Sequence, residues 1–179
     1  MRIREAGRAD IPAIARVVVD TWRTTYRGIL PDEVLANLSY AQREQVWTRA
    51  LANQENPPAL YVAETEAGAV VGVASGGRTD PPDPIYQGEL AAIYILDAYQ
   101  GHGLGRRLIA PVAQRLAERG QTGLLVWVLA DNPACRFYER LGGRRVYEKP
   151  IEMGGATLLL AGYGWADATV LWSPPGTQS

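Results

Sequence analysis

The sequence has no segment that would span a membrane, direct the chain into secretion or attract it to nucleic acid. No apolar run approaches the roughly 18 residues of a membrane-spanning helix, and residues 1–5 do not form an apolar signal segment. The 18 basic and 19 acidic residues give a formal net charge of −1, which favours neither nucleic acid nor an anionic membrane. We therefore expect a soluble, cytoplasmic protein with no nucleic-acid partner and no membrane partner.

Cysteine is almost absent. Cys135 is the only one among 179 residues, which excludes an internal disulfide and fits a reducing compartment. At this length, folding buries about 70% of the surface of the unfolded chain, so a core can form without cross-links. The sequence contains no internal repeat, and we expect one domain over residues 1–172 followed by a C-terminal tail, 173–179.

A glycine-rich segment, D-A-Y-Q-G-H-G-L-G-R-R, runs from Asp97 to Arg107 between an apolar run and a helix-like run. Its glycines alternate with other residues, and this spacing lets the backbone approach a ligand closely. The unpaired N–H groups that open the following helix attract an anion. The pattern predicts a phosphate or pyrophosphate site, and a ligand-free turn is the alternative.

Two familiar nucleotide motifs do not fit this segment. A Walker loop ends in Gly-Lys followed by Ser or Thr, and neither Lys nor Ser/Thr stands where it would be required. A dinucleotide fingerprint, G-x-G-x-x-G, fails because Arg106 occupies the position of its third glycine. The anion that binds here is therefore not predicted to belong to a Walker-type or Rossmann-type nucleotide.

Strands and helices alternate along the rest of the chain. Strands are predicted at the β-rich and apolar runs 3–6, 60–63, 70–74, 90–96, 124–129, 146–151 and 157–163. Helices are predicted at 11–27, 31–33, 40–52, 104–119 and 134–141. Asp10, Ser39 and Asn132 stand where N-cap residues are expected.

A proline-rich segment lies between Gly76 and Gly88. Proline cannot donate the backbone hydrogen bond that a paired strand needs, so the segment is predicted to be a loop. A mobile flap beside a site and an ordered surface loop are both consistent with this composition.

Two stretches resemble motifs of the GCN5-related N-acetyltransferase (GNAT) superfamily. Residues 89–105, E-L-A-A-I-Y-I followed by Y-Q-G-H-G-L-G, resemble the fourth strand of that family and its acetyl-CoA pyrophosphate loop, Q-x-x-G-x-G. Residues 132–142 resemble its N-x-x-A-x-R-F-Y-E-x-L-G helix. Asp97 and Gly143 depart from the pattern, because proline and an aromatic residue are common at these two positions. Neither departure touches the residues implied in the chemistry.

The resemblance covers essentially the whole chain and implies a fold of the α/β class. The expected architecture is a central, mostly antiparallel sheet of about seven strands, splayed between strands 4 and 5, with helices on both faces. The implied activity is that of an N-acetyltransferase, which moves an acetyl group from acetyl-CoA to a primary amine of a small molecule by direct attack in a ternary complex. No metal is implied, and the resemblance allows a homodimer. A protein N-terminal or lysine acetyltransferase and a non-catalytic acyl-CoA sensor are the alternatives.

The resemblance also assigns roles to individual residues. The residues implied in cofactor binding are Ile93, Tyr94, Ile95, Gln100, Gly101, His102, Gly103, Leu104, Gly105, Arg106, Asn132 and Arg136. For His102 and Arg106 simple solvation is the alternative, and for Asn132 a capping role alone. Trp22 and Tyr26 are implied acceptor contacts, with packing in the core as the alternative.

Two proton transfers single out Tyr138 and Glu89. An alkylamine of pKa about 10.4 must lose a proton near pH 7.4, which costs about 4 kcal/mol. Glu89 is the candidate base, directly or through water, and an ordinary strand-end glutamate is the alternative. Tyr138 matches the family's general acid for the departing thiolate. Transfer from a tyrosine of pKa about 10 to a thiolate of pKa about 8.5 is uphill by about 2 kcal/mol unless the site lowers the tyrosine pKa, so hydrogen-bond donation is expected to be important.

Overall fold

Residues 1–173, which the computed structural model describes, form seven strands and five α-helices. The strands are β1 (Arg2–Glu5), β2 (Ala59–Glu64), β3 (Val70–Arg78), β4 (Gly88–Ile95), β5 (Leu124–Leu129), β6 (Arg144–Met153) and β7 (Ala156–Trp165). The helices are α1 (Ile11–Thr25), α2 (Asp32–Ala36), α3 (Tyr40–Ala52), α4 (Leu104–Glu118) and α5 (Cys135–Arg140). The predicted tail lies outside the described residues, apart from Ser173. Within the described part, no helix has both the length and the apolar character needed to cross a membrane.

The strands form a single sheet in the order β1-β2-β3-β4-β5-β7-β6. All neighbouring pairs are antiparallel except β4 and β5, which are parallel. These two strands pair only at Gly88 with Leu124 and at Glu89 with Leu125. Beyond Glu89 the strands diverge, so one edge of β4 keeps backbone N–H and C=O groups free. The mixed sheet with its splay between strands 4 and 5 confirms the predicted fold class.

Helices cover both faces of the sheet because the strands and helices carry apolar residues toward both. On one face, α4 buries Leu108, Val112 and Leu116 completely, at the four-residue spacing seen in the sequence. On the other face, α1 buries Ile14 and Val17 against β2 and β3. The sheet therefore lies between two apolar cores, and the gap between β4 and β5 opens beside both.

Asp10 is the N-cap residue of α1, as predicted, but its side chain makes no capping hydrogen bond to that helix. Its carboxylate accepts two hydrogen bonds from Arg4, at 2.9 and 2.7 Å, and one from the backbone N–H of Gly7 at 2.8 Å. The paired arginine also holds the pKa of Asp10 below its usual value. Asp10 therefore closes the 3₁₀ turn before α1. The Ser39 cap is confirmed, because its Oγ accepts from the N–H of Gln42 at 3.4 Å.

The proline-rich loop is ordered by its own hydrogen bonds. β3 continues to Arg78, so the prediction that 76–78 are unpaired is wrong; these positions carry glycine and arginine, and the prolines come later. Thr79 donates its hydroxyl to the carbonyl of Tyr86 at 2.8 Å. Asp83 accepts from the N–H groups of Ile85 and Tyr86 at 2.8 and 2.7 Å. The loop residues 79–86 are therefore linked to one another by hydrogen bonds within the loop.

Gly123→Ala is expected to destabilise the fold through this loop. A Cβ at Gly123 would overlap the backbone carbonyl of Ile85, which cannot rotate away. Such overpacking costs about 1–3 kcal/mol, measurable as the free energy of unfolding in urea. Gly77→Ala is the matched control, because a Cβ there meets nothing within 4 Å and should change the value by less than about 0.5 kcal/mol. Equal stability of the two variants would contradict the packing of the loop on β5.

Candidate active site

A cleft of about 760 Å³ opens where β4 and β5 diverge. Residues 90–95 of β4 form one wall, and residues 126–128 of β5 form the opposite wall. The start of α4, the start of α5 and the end of α1 complete it. The gap in the sheet thus becomes a site with free backbone groups along one side and a helix N-terminus at one end.

The glycine turn shapes the α4 end of this cleft. Gly101 and Gly103 have φ values of 78° and 73°, a left-handed conformation that favours glycine. Gly103 is the N-cap of α4, so the first N–H groups of the helix, from Leu104 onward, have no intrahelical acceptor. Gly105 is needed for close packing, because a Cβ there would stand 2.7 Å from the ring of Phe137. The turn presents unpaired amides and a positive helix end to an anion in the cleft.

The polar side chains around this turn divide into two groups. Gln100 and Arg106 line the cleft, and Gln100 Nε2 also donates to the carbonyl of Ile95 at 2.8 Å. His102 and Arg136 are exposed and do not line the cleft. The cofactor contacts expected of these last two side chains therefore have no counterpart in the cleft wall.

Asn132 begins the turn that leads into α5. Its Oδ1 accepts from the N–H of Ala134 at 2.9 Å, and its carbonyl accepts from Cys135 at 3.0 Å. The α-helix consequently starts at Cys135, one residue later than predicted, with a tighter turn before it. Asn132 is buried and lines the cleft, so it both shapes the backbone and faces the site.

Tyr138 is the deepest of the predicted catalytic residues. It is 4% exposed, lines the cleft, and packs its ring 6.0 Å from Tyr163 and 6.3 Å from Trp165. Burial raises the pKa of Tyr138 well above its usual value, and the neighbouring Tyr26 and Tyr94 raise it further. Full proton transfer from this hydroxyl to a thiolate is therefore more unfavourable than the value of about 2 kcal/mol expected for a tyrosine of ordinary pKa. Hydrogen-bond donation is the chemistry that the environment of Tyr138 favours.

Glu89 lies at the edge of the cleft. The cleft wall begins at the next residue, Leu90, which packs in the core on the α4 side. Alternation along the strand therefore places Glu89 on the α1 side. Burial raises the pKa of its carboxyl above the ordinary value of 4.5, the charge of Lys149 lowers it, and the charge of Asp80 raises it. A carboxylate in this setting is a stronger proton acceptor than an exposed one.

The two predicted acceptor residues occupy different places. Tyr26, at the end of α1, lines the cleft. Trp22 does not; its ring lies 4.9 Å from Tyr26 and 6.4 Å from Tyr94, with the guanidinium of Arg43 5.1 Å from its centre. Trp22 therefore packs against Tyr26 and Tyr94 and does not line the cleft itself.

Several cleft residues were not identified from the sequence. The polar and aromatic ones that were given no individual role there are Thr21, Thr24, Thr25, Asp97, Tyr99, Trp127, Phe137 and Arg140. The run T-W-R-T-T-Y, which ends α1, was the available signal for the three threonines. It places several hydroxyl groups on the last turns of a helix, next to Tyr26, which the sequence had already indicated as an acceptor contact. Trp127 and Arg140 carry no comparable local signal.

Comparisons with known proteins agree with this architecture. The family described as FR47-like protein matches residues 84–150. An uncharacterized N-acetyltransferase, YuaI of Bacillus subtilis, is 40% identical over 170 residues, which cover 94% of this chain and 95% of YuaI. The L-methionine sulfoximine/L-methionine sulfone acetyltransferase of Pseudomonas paraeruginosa is 30% identical over 141 residues, 78% of each chain. The structure of yncA, a putative acetyltransferase from Salmonella typhimurium solved with its cofactor acetyl-CoA, superposes with a TM-score of 0.69 at 26% identity over 92% of each chain.

Proposed function

Because the chain belongs to the GNAT superfamily of N-acetyltransferases, we propose that it transfers the acetyl group of acetyl-CoA to a primary amine of a small molecule. The observation that carries this proposal is the cleft between β4 and β5, with a glycine turn at one end and Tyr138 inside it. The methionine sulfoximine acetyltransferase supports a small acceptor, because its name specifies an amino-acid analogue.

The residues of the cleft fit acetyl-CoA. The amides between Gly101 and Arg106 would bind the pyrophosphate, where the helix dipole favours negative charge. The free edge of β4 at residues 93–95 would bind the pantetheine arm through backbone hydrogen bonds. Bound in this direction, acetyl-CoA supplies an activated thioester close to Tyr138. The complex of yncA with acetyl-CoA supports this assignment.

Two side chains would then act on the reacting groups, one as a proton acceptor and one as a hydrogen-bond donor. Glu89, on the α1 side of β4, accepts the proton of the acceptor amine, directly or through a water molecule. Tyr138 donates a hydrogen bond to the sulfur as negative charge develops on it, and its raised pKa keeps the hydroxyl protonated. The amine nitrogen attacks the thioester carbonyl, the C–S bond breaks, and an acetamide and the thiolate of coenzyme A form; the proton taken up by Glu89 is released to water, from which the thiolate is protonated.

Acetyl-CoA is expected to stabilise the protein strongly. At about 100 times its Kd it should raise the free energy of unfolding by about 2.7 kcal/mol, which at this chain length raises Tm by about 5–10 °C. Differential scanning fluorimetry measures this shift. S-acetyl-N-acetylcysteamine is the matched control ligand, because it carries the thioester and lacks the pyrophosphate, and it should give a much smaller shift. No shift with millimolar acetyl-CoA would contradict the cofactor assignment.

A further inference from the structure

A second cavity, of about 380 Å³, lies beside the cleft, between α3 and a floor formed by β3 and β4. Ala91, Ala92 and Tyr94 line both spaces, so the second cavity continues the cleft. Val18 of α1 also lines it, which places it on the face of the sheet that α1 covers. Acetyl-CoA is assigned to the glycine turn and to the edge of β4 that faces β5. The second cavity is therefore available to the molecule that reacts with acetyl-CoA, the acceptor.

Gly77 places this cavity next to the candidate base. It pairs with Glu89 across β3 and β4, and residues directly opposite each other in an antiparallel pair lie on the same face of the sheet. A Cβ at Gly77 would meet nothing within 4 Å, so the space above this position is open. Gly77 also lines the second cavity. An acceptor in this cavity thus lies on the face of the sheet that carries Glu89.

Arg43 determines the charge that the cavity attracts. Among the described residues that line the cavity, it is the only charged one. The residue is half-buried, and its guanidinium lies 5.1 Å from the centre of the Trp22 ring. No ion pair within residues 1–173 includes Arg43. A guanidinium without a carboxylate partner can bind the carboxylate of a ligand, through two parallel hydrogen bonds.

The rest of the cavity wall is neutral. Apolar contacts come from α3, through Val46, Trp47 and Ala50, and the floor consists of small residues such as Ser75 and Ala92. An apolar part of a ligand would bury its surface against α3. A second ammonium group would lose its water without meeting an acidic group among these residues. The cavity therefore suits a molecule whose charged groups are one carboxylate and the reacting amine.

We infer that the second cavity binds the acceptor, and that Arg43 recognises a carboxylate of this acceptor. The inference rests on the proposed function and deepens it by naming the substrate class: amines that carry a carboxylate, to which the amino acids belong. The amine lies where the two spaces join, at Ala91 and Ala92, with Glu89 earlier on the same strand. Arg43 is thus a residue that determines specificity, and it takes no part in the proton transfer.

Matched amines test the role of Arg43. Leucine and leucinamide differ by a carboxylate in place of a neutral amide, and 5-aminopentanoate and 5-aminopentanamide form a longer pair of the same kind. The difference in amine pKa within a pair cancels when the ratio of the two kcat/KM values is compared between proteins. Arg43→Gln is expected to lower the carboxylate-to-amide ratio by about 10- to 100-fold, the worth of a hydrogen bond to a charged group. Arg43→Lys should restore part of the ratio, because it keeps the charge and loses the planar fork.

Two further variants distinguish recognition of the acceptor from an effect on the fold. Arg49→Gln removes an exposed arginine of α3 that does not line the cavity, and it should keep the wild-type ratio. Gly77→Val places a side chain in the open space beside Glu89 from the opposite wall. It should lower kcat/KM for the carboxylate-bearing amines by about 10-fold or more. The Kd for acetyl-CoA, measured by calorimetric titration, should stay at the wild-type value in all four variants.

The possible failures are distinguishable. An unchanged ratio for both pairs in Arg43→Gln, or wild-type turnover in Gly77→Val, would overturn the inference. A weaker Kd for acetyl-CoA in Arg43→Gln would assign Arg43 to the cofactor and would also overturn it. Turnover of amines without a carboxylate, and of neither leucine nor 5-aminopentanoate, would overturn the inference and leave the proposed function standing. Failure of the wild-type protein to bind acetyl-CoA would instead refute the proposed function.

Discussion

Tyr138→Phe is expected to lower kcat by about 10²- to 10³-fold while changing the Kd for acetyl-CoA by less than about twofold. The ring stays in place and keeps its packing against Tyr163 and Trp165. Only the hydroxyl is lost, and in the proposed reaction its hydrogen bond to sulfur would strengthen as the thiolate forms. The loss therefore falls on the transition state, not on binding. Steady-state kinetics and calorimetric titration with acetyl-CoA measure the two quantities.

Tyr163→Phe is the matched control for this prediction. Tyr163 is buried beside Tyr138 and donates its hydroxyl to Glu139 Oε1 at 2.9 Å. Removing that hydrogen bond should lower the free energy of unfolding by about 1 kcal/mol and leave kcat close to wild type. Tyr138→Phe should show the opposite pattern, with the fold kept and turnover lost. Unchanged turnover in Tyr138→Phe would remove Tyr138 from the reaction.

Glu89→Gln is expected to lower kcat/KM by about 10²-fold and to change its pH dependence. Burial raises the pKa of Glu89 above 4.5, and the carboxylate can accept a proton only when it is ionised. Wild-type kcat/KM should therefore fall as the pH decreases through this raised pKa. Glutamine cannot titrate, so that limb should be missing from the variant when both proteins are measured with the same amine.

The free energy of unfolding of Glu89→Gln and a control variant distinguish a role of Glu89 as a base from a structural role. A carboxyl whose pKa is raised by folding stabilises the protein most at low pH, where it is protonated, and that contribution is lost as the pH rises through the folded-state pKa. Glu89→Gln should therefore be no less stable than wild type at pH 7. Glu66→Gln removes a carboxylate whose side chain is 98% exposed and should leave kcat/KM unchanged. Protonation of the amine lowers kcat/KM equally in both proteins, so an additional fall through the pKa assigned to Glu89 that persists in Glu89→Gln would belong to another group.

Features set by short segments were predictable from the sequence. β5 begins and ends at the predicted residues because Leu124–Leu129 is apolar throughout, follows Gly123, and is followed after Ala130 by the polar residues Asp131 and Asn132. The glycine turn was predictable because left-handed backbone before a helix N-terminus demands glycine. The splay between β4 and β5 was expected from the family resemblance. It is confirmed because only two residues of β4, Gly88 and Glu89, pair with β5.

The remaining features depend on partners that the local pattern does not name. Asp10 is a residue type and position typical of an N-cap, but its carboxylate is hydrogen-bonded by Arg4 of β1 and by the N–H of Gly7 instead of by α1. The loop before β4 is ordered partly because Tyr86 lies against Gly164, a residue far along the chain. Thr21 looks like any helical threonine until the structure shows that its hydroxyl has no partner within residues 1–173.

The measurement that tests the central claim most directly is the release of coenzyme A thiol from acetyl-CoA, with the products identified by mass spectrometry. The protein would be assayed with a panel of small primary amines and with peptides that present a free N-terminus or a lysine. We predict thiol release that depends on a small amine, matched mole for mole by the acetylated amine, with slower release on the peptides. Binding of acetyl-CoA without amine-dependent release on any acceptor would contradict the account and identify a sensor instead.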